Sequence, residues 1–536
     1  MPAEKAWPAR PSDQFAVGRS SHQEHPPNHM PNNGRTNNGR TNNGHTNNGH
    51  TNNGRTNNGR TNNGRTNNGH TVNEPGRRLT PKVGRPTLPP FPDNTDQRRI
   101  SAMYAINRTD VRHHPIARFG GITPVALIVS FLGTPCGAEE AAAPWSARPE
   151  LVQKLQGRPG INYDEAKVPD YTLPDPLIAG DGTAVSDAEA WTRSRREEVL
   201  NLFRDHVYGR RPATNDAVRF EPTDEIKDAF DGAATGRAMT ATVAVDDRTY
   251  SFPFVVFVPN HAERPVPAVV HINNRYFIPL EKAASEHDPF WPARTLIERG
   301  YATASFHTSH VDPDRKDGYA DGIRAFFADG QPPEETAWRS LSAWGWAASR
   351  ILDHLESLEA VDGSRVAVVG HSRGGKASLW AACEDPRFAV AYSNHSGCGG
   401  AALSRRAYGE TVGRITTAFP HWFCPPFAAY AGREAELPVD QHQVVGLIAP
   451  RGVYVASADQ DLWADPKGEY ASLVAAAPVF RLFDKASITA AEMPPLDHPR
   501  VVGQTGYHVR TGGHGLGDVD WNWFLDFADR LLAPAE

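Results

Sequence analysis

Gly370-His371-Ser372-Arg373-Gly374 stands between an apolar stretch, residues 365–369 (RVAVV), and a small-residue stretch, residues 376–383 (KASLWAAC). Few folds accommodate that arrangement. A β-branched run that enters G-x-S-x-G and leaves as a helix pattern calls for a sharp strand-turn-helix junction. The two glycines let the chain reverse tightly enough to lift the Ser372 hydroxyl above the strand end. The helix N-terminus beneath it favours negative charge that develops there.

The flanking sequence repeats the same alternation. Residues 251–258 (SFPFVVFV), 268–272 (AVVHI) and 302–306 (ATASF) read as short buried strands. Within residues 338–355, Trp344, Ala348, Ile351, Leu352 and Leu355 recur at the spacing of one helical face. Residues 388–392, 452–456 and 479–482 read as further strands, and Trp521, Phe524, Leu525 and Leu531 mark a closing helix. The expectation is an α/β fold with a mostly parallel central sheet and helices on both faces, a three-layer sandwich.

A serine hydroxyl is a weak nucleophile until a base takes its proton and a carboxylate orients that base. With the serine on such a turn, the acid and then the histidine are expected downstream. Asp461 lies in the loop 457–465 (SADQDLWAD) just after a strand, with Asp459 and Asp465 as rivals. His514, in the Gly-rich loop 511–515 (TGGHG), is the expected base, with His508 as the alternative. The sequence contains no H-E-x-x-H, no G-x-G-x-x-G after a strand and no P-loop, so neither a metal nor another cofactor is expected.

The runs GHSRGGKASLWAACEDPRFA, SGCGGAALSRRAYGETVGRI, FPHWFC, LPVDQHQVVGLIAPRGVYVASADQDLWADPKGEY and TGGHGLGDVDWNWFLDFAD resemble the bacterial glucuronoyl esterases of carbohydrate esterase family 15. The resemblance is close from about residue 338 to 529 and looser between 190 and 330. It implies an α/β-hydrolase fold and hydrolysis of esters of glucuronic or 4-O-methylglucuronic acid, such as those joining glucuronoxylan to lignin alcohols, with no metal. It further implies Ser372 as nucleophile, His514 as base and Arg373 as support for the oxyanion. Lys376 and Glu410 would contact sugar hydroxyls, and Trp463 would line the uronate site.

Two positions depart from the family pattern. Many members carry the triad glutamate just before the Ser-Gly that follows the nucleophile helix, and His395 stands there in Asn394-His395-Ser396-Gly397. The acid is then expected at the later bacterial position, which favours Asp461 over Asp459. Residues 271–275 (HINNR) stand where the bacterial relatives have a Gly-rich loop near the oxyanion side, so a difference in substrate size or leaving-group preference is expected.

Ahead of this domain the chain is of another kind. From Asn32 to His70 it repeats NNG[R/H] at a period of five, eight units without an apolar position. Such a segment has no surface to bury against the ~1 to 2 kcal/mol per residue of backbone entropy that ordering costs. Residues 1–102 are therefore expected to be a disordered leader, and Met103 an alternative translation start. Residues 103–138 have the basic flank, apolar run (122–132) and small residues of an export signal, placing the product in the periplasm or outside the cell. The catalytic domain is expected at 139–536 as a monomer with no membrane span of its own.

The charge balance sharpens this division. Residues 1–138 hold 17 Lys+Arg against 7 Asp+Glu, whereas the remainder holds 39 against 55, so the exported part is acidic and nucleic acid is a poor partner for it. Once Cys136 leaves with the signal, Cys383, Cys398 and Cys424 remain, an odd number; a Cys398–Cys424 bridge that leaves Cys383 as a small buried hydrophobe is one plausible arrangement, and the sequence does not choose the pairing. Two alternative functions share these features. An acetylxylan or other acyl esterase would use Ser372, Asp461 and His514 without needing Lys376, Glu410 and Trp463 together. A non-catalytic carbohydrate-binding surface protein would use the repeat as a stalk.

Overall fold

Ten strands form one mixed sheet: β1 Val218–Ala229, β2 Ala234–Val245, β3 Arg248–Pro259, β4 Val266–Asn273, β5 Ala302–His307, β6 Val361–His371, β7 Phe388–Asn394, β8 Gly452–Ala458, β9 Arg500–Val502 and β10 Thr505–Arg510. Their order is β1-β2-β3-β5-β4-β6-β7-β8-β10-β9. The block β5-β4-β6-β7-β8-β10 is parallel throughout, with an antiparallel ribbon β1-β2-β3 at one edge and β9 antiparallel at the other. The computed structural model describes residues 143–212 and 217–533. The expected leader, start site and export signal (1–102 and 103–138) lie outside the described residues.

Period-two alternation distributes the strand residues between two apolar layers. Val366 and Val368 of β6 join a cluster covered by the helices Ser340–Glu356, Arg373–Glu384, Gln441–Ile448 and Pro466–Leu482. Ala367 and Val369 point the other way, into a cluster closed by the helices Ala293–Glu298 and Asp518–Leu532. In the second layer Phe524 stacks on Tyr392 of β7 with ring centroids 4.6 Å apart. The three-layer α/β expectation describes what is observed, and no helix among the described residues is long and apolar enough to cross a membrane.

Two expectations are corrected. Residues 479–482 are the last turn of the helix Pro466–Leu482, not a strand. Tyr470, Leu473, Ala477 and Phe480 are buried along it at helical spacing, a period that four residues alone cannot reveal. The strand beyond β8 in the sheet is β10, which pairs with it in parallel. The Cys398–Cys424 bridge is absent: Cys383, Cys398 and Cys424 are all free and buried. Cys424 Sγ donates to Asp205 O at 3.7 Å and Cys383 Sγ to Val444 O at 3.3 Å. Burial pushes the Cys383 and Cys424 thiols up to about 12, which keeps them protonated and unreactive.

The first described residues form a strap across the loops that follow the sheet. Trp145 N donates to Pro494 O, Arg148 pairs with Asp459 at 3.1 Å, and Asn162 O accepts from Gly409 N at 2.8 Å. Tyr163 packs edge-on against Tyr408, whose hydroxyl donates to Tyr163 O at 3.0 Å, and Leu462 and Trp463 close the same cluster.

Candidate active site

Ser372 follows the last residue of β6 with φ 56° and ψ −121°, an unfavourable backbone for a residue with a side chain. The turn depends on its glycines. A Cβ on Gly370 would lie 2.1 Å from Gly374 O, and one on Gly374 would lie 2.7 Å from Ile272 O of β4, so only a missing side chain lets these backbones pass. Ser372 N donates to Asn394 O at 2.8 Å, tying the turn to the end of β7.

Seven residues singled out from the sequence, Ser372, Arg373, Lys376, Glu410, Asp461, Trp463 and His514, line one cavity of about 310 Å³. They arrive from the elbow and its helix, from the loop after β7, from the loop after β8 and from the loop after β10. His514 Nδ1 lies 2.6 Å from Asp461 Oδ2. An ionised carboxylate can only accept, so the proton sits on Nδ1 and leaves Nε2 as a lone pair. Burial opposes the Asp461 charge, but hydrogen bonds from His395 and His514 outweigh it and hold the carboxyl well below the usual range.

The rivals are engaged elsewhere. Asp459 accepts from Gly512 N at 2.8 Å and pairs with Arg148, bracing the loop that carries His514. Asp465 is buried against Arg406 and caps the helix Pro466–Leu482. His508 is enclosed between Tyr454 Oη (2.9 Å) and Asp520 Oδ1 (3.0 Å).

Lys376, buried on the first turn of the nucleophile helix, donates its ammonium to Ser396 O and lies 3.7 Å from Glu410 Oε2. Burial raises the Glu410 pKa, with the Lys376 charge opposing. Trp463 O accepts from Glu410 N at 2.9 Å, so the glutamate and the indole are held as one unit. A ring of donors and acceptors beside an aromatic surface suits sugar hydroxyls.

Sequence reasoning assigned no role to several neighbours. His395, with φ 49° and fully buried, places Nδ1 3.2 Å from the Asp461 oxygen that faces His514. Ser396 Oγ and Gly397 N, next in the chain, donate to the buried Glu469, as does Ser457 Oγ of β8. Asp314, in the loop after β5, binds the Arg373 guanidinium and accepts from His421 Nε2 at 2.9 Å and Trp422 Nε1 at 2.7 Å. Arg373 also lies over the rings of Trp422 (4.7 Å) and Phe419 (5.4 Å). Residues 271–275 form no open Gly-rich loop: Asn273 Oδ1 accepts from Arg275 N at 2.9 Å, and Arg275 stacks on Phe290 at 4.4 Å.

Nδ1 of His395, the carboxylate of Asp461 and His514 come within 4.8 Å of one another, a spacing that suits a cation. Both Nδ1–H groups already donate to Asp461, so ligation would have to displace the pair that orients His514.

A G-x-S-x-G elbow at the end of a central parallel strand, with an acid after β8 and a histidine before the closing helix, defines an α/β-hydrolase. The comparisons narrow the class. Residues 241–484 match the family model described as glucuronyl esterase, fungi. The chain is 36% identical over 417 residues to carbohydrate esterase MZ0003 from an unknown prokaryotic organism, covering 72% of this chain and 95% of that one. It is 26% identical over 379 residues to the 4-O-methyl-glucuronoyl methylesterase of Neurospora crassa, covering 68% and 82%. The solved glucuronoyl esterase from Solibacter usitatus superposes with a TM-score of 0.64 at 37% identity, covering 69% of this chain and all of that one. The protein belongs to the glucuronoyl esterases of carbohydrate esterase family 15, and is accordingly a carboxylic ester hydrolase.

Proposed function

We propose that this protein hydrolyses esters of glucuronic and 4-O-methylglucuronic acid through a Ser372–His514–Asp461 triad. The observation that carries the reading is the convergence, in one cavity, of the elbow serine, the His514–Asp461 pair and the sugar-suited group Lys376, Glu410 and Trp463. A generic acyl esterase has no need for the last three. The Neurospora relative carries methyl esters of the same acid in its name.

Ser372 Oγ attacks the C6 carbonyl carbon of the uronate ester while His514 Nε2 takes the hydroxyl proton. Asp461 holds the imidazole by Nδ1–H and stabilises the imidazolium. Arg373 N–H groups and backbone N–H groups at the helix start stabilise the negative oxygen. Collapse breaks the bond to the alcohol, which leaves with the proton from His514. Water, deprotonated in turn by His514, then releases glucuronate from Ser372. The natural ester we infer is the link between glucuronoxylan and lignin alcohols, met outside the cytoplasm by an enzyme exported through residues 103–138.

The test is a set of rates on benzyl glucuronate, its 4-O-methyl form and an acetyl ester. Preference for both glucuronates is expected, with a loss of about 10³-fold or more in kcat for Ser372→Ala. Equal or better hydrolysis of the acetyl ester would replace this reading with that of an acetylxylan or other acyl esterase, and undiminished activity in Ser372→Ala would remove the triad.

A further inference from the structure

We propose that Asp314 neutralises Arg373 so that the site can stabilise a transient oxyanion without retaining the uronate anion that it releases. This rests on the uronate-ester reading. The reaction consumes an uncharged ester and produces a carboxylate, which is ionised at neutral pH. That charge is shared by the two oxygens of the C6 carbon that bore the oxyanion, which the proposed mechanism places beside Arg373. An unpaired guanidinium is a strong, bidentate carboxylate receptor, so a free arginine at this position would make the product its own inhibitor.

The arginine is not free. Its Nη1 is bound to Asp314 Oδ2, while Asp314 Oδ1 is fixed by His421 and Trp422. The Asp314 carboxyl is buried, yet hydrogen bonds from His421 and Trp422 and the Arg373 charge hold it down at about 2, so it stays ionised at working pH. The Trp422 and Phe419 rings, themselves stacked 3.8 Å apart, prevent the guanidinium from swinging away from its partner. Arg373 Nε–H remains buried without a hydrogen-bond partner among the described residues. That atom is out of a substrate's reach; the donor for a brief, partial negative charge is the rest of the guanidinium, whose side chain stays 30% exposed in the cavity that it lines.

The second cation lining the cavity is treated alike. Lys376 is faced by Glu410 and bonded to Ser396 O, and neither positive group stands alone. With Asp461 added, the carboxyl groups of Asp314, Glu410 and Asp461 stand beside the two cations Arg373 and Lys376. The excess of acidic over basic residues across 139–536 drives an anion outward in the same sense.

The experiment compares Asp314→Asn, alone and combined with Arg373→Gln, with the unaltered full domain, measuring the Kd of free glucuronate by calorimetry and KM on benzyl glucuronate. In Asp314→Asn the uncovered cation should tighten glucuronate binding by about tenfold, while KM for the neutral ester moves by less than about threefold. A Kd that weakens, or stays within about threefold, in the folded variant overturns the proposal. Should Asp314→Asn fail to fold, Arg373→Gln combined with Asp314→Asn decides, because Arg373→Gln alone would uncover the Asp314 carboxylate. Removing the neutral pair together should weaken glucuronate binding by less than about threefold, and a larger loss would mark Arg373 as an open anion receptor and overturn the proposal. If the unaltered protein hydrolyses no glucuronate ester, it is the functional reading that fails; if it does and only the Kd values are wrong, the charge pairing alone is rejected.

Discussion

His395 Nδ1 reaches the same Asp461 oxygen as His514 Nδ1, at 3.2 Å against 2.6 Å. One carboxylate oxygen thus orients the exposed imidazole of the proposed base and is itself held by a buried imidazole. His395 is held in its left-handed conformation by backbone bonds, its N–H donating to Ala456 O at 2.8 Å, so it acts as a fixed post.

Asp461→Asn should therefore lower kcat by about 10³ to 10⁴, because the amide stabilises neither the Nδ1–H tautomer nor the imidazolium. Asp459→Asn, which loosens Arg148 and Gly512 without touching His514, should cost no more than about tenfold. Steady-state kinetics on benzyl glucuronate for the two variants checks the assignment, and a larger loss at Asp459 would reverse it.

Glu410→Gln removes the partner of Lys376 and a strong acceptor for sugar hydroxyls. The expected result is a rise in KM for glucuronate esters of about tenfold or more, with little change toward a simple acetyl ester. Parallel kinetics on the two substrate classes reads this directly.

Glu469 makes stability depend on pH. Burial pushes its carboxyl up to about 8, against hydrogen bonds from Ser457, Gly397 and Ser396 that favour the charged form. Because the folded pKa lies above the unfolded one, this residue's contribution is complete below the ordinary glutamate range and is lost as pH rises toward 8, amounting to roughly 3 to 5 kcal/mol. A glutamine mimics the neutral acid: its oxygen can accept from Ser396 and Gly397 and its amide can donate to Ser457. Thermal unfolding midpoints of the parent should fall between about pH 5 and pH 9, and those of Glu469→Gln should fall less.

The Arg324–Asp312 pair, both side chains almost inaccessible at 2.9 Å, also accepts a hydrogen bond from Ser340 Oγ. Arg324→Met strands a buried carboxylate and should cost about 3 to 5 kcal/mol in denaturant unfolding. Asp312→Asn combined with Arg324→Met should recover part of that loss.

What the sequence made legible follows from how local each signal is. The elbow could be read because strand, glycines and helix are contiguous, and Asp461 and His514 could be proposed because they follow it in the expected chain order, one after a strand and the other in a Gly-rich loop. β1 escaped notice because, as an exposed ribbon strand, it carries polar residues along most of its length. Asp314, His421 and Trp422 escaped because nothing in their neighbourhoods in the chain refers to Arg373; the loop after β5 and a loop more than a hundred residues later meet only in the folded protein. His395 was visible as a missing carboxylate, but not as a second support for the one that replaces it.

The strap from Trp145 to Tyr163 ties loops around the cavity to the start of the described residues. It braces the Asp459 loop through Arg148 and the Glu410 turn through Asn162, yet it lies far ahead of residues 241–484, the stretch that matches the family model. His514 lies beyond the other end of that stretch. Residues 241–484 thus hold the elbow serine but neither His514 nor the strap. Completing the cavity therefore requires a segment near the start of the described residues and one near their end to meet on the same loops.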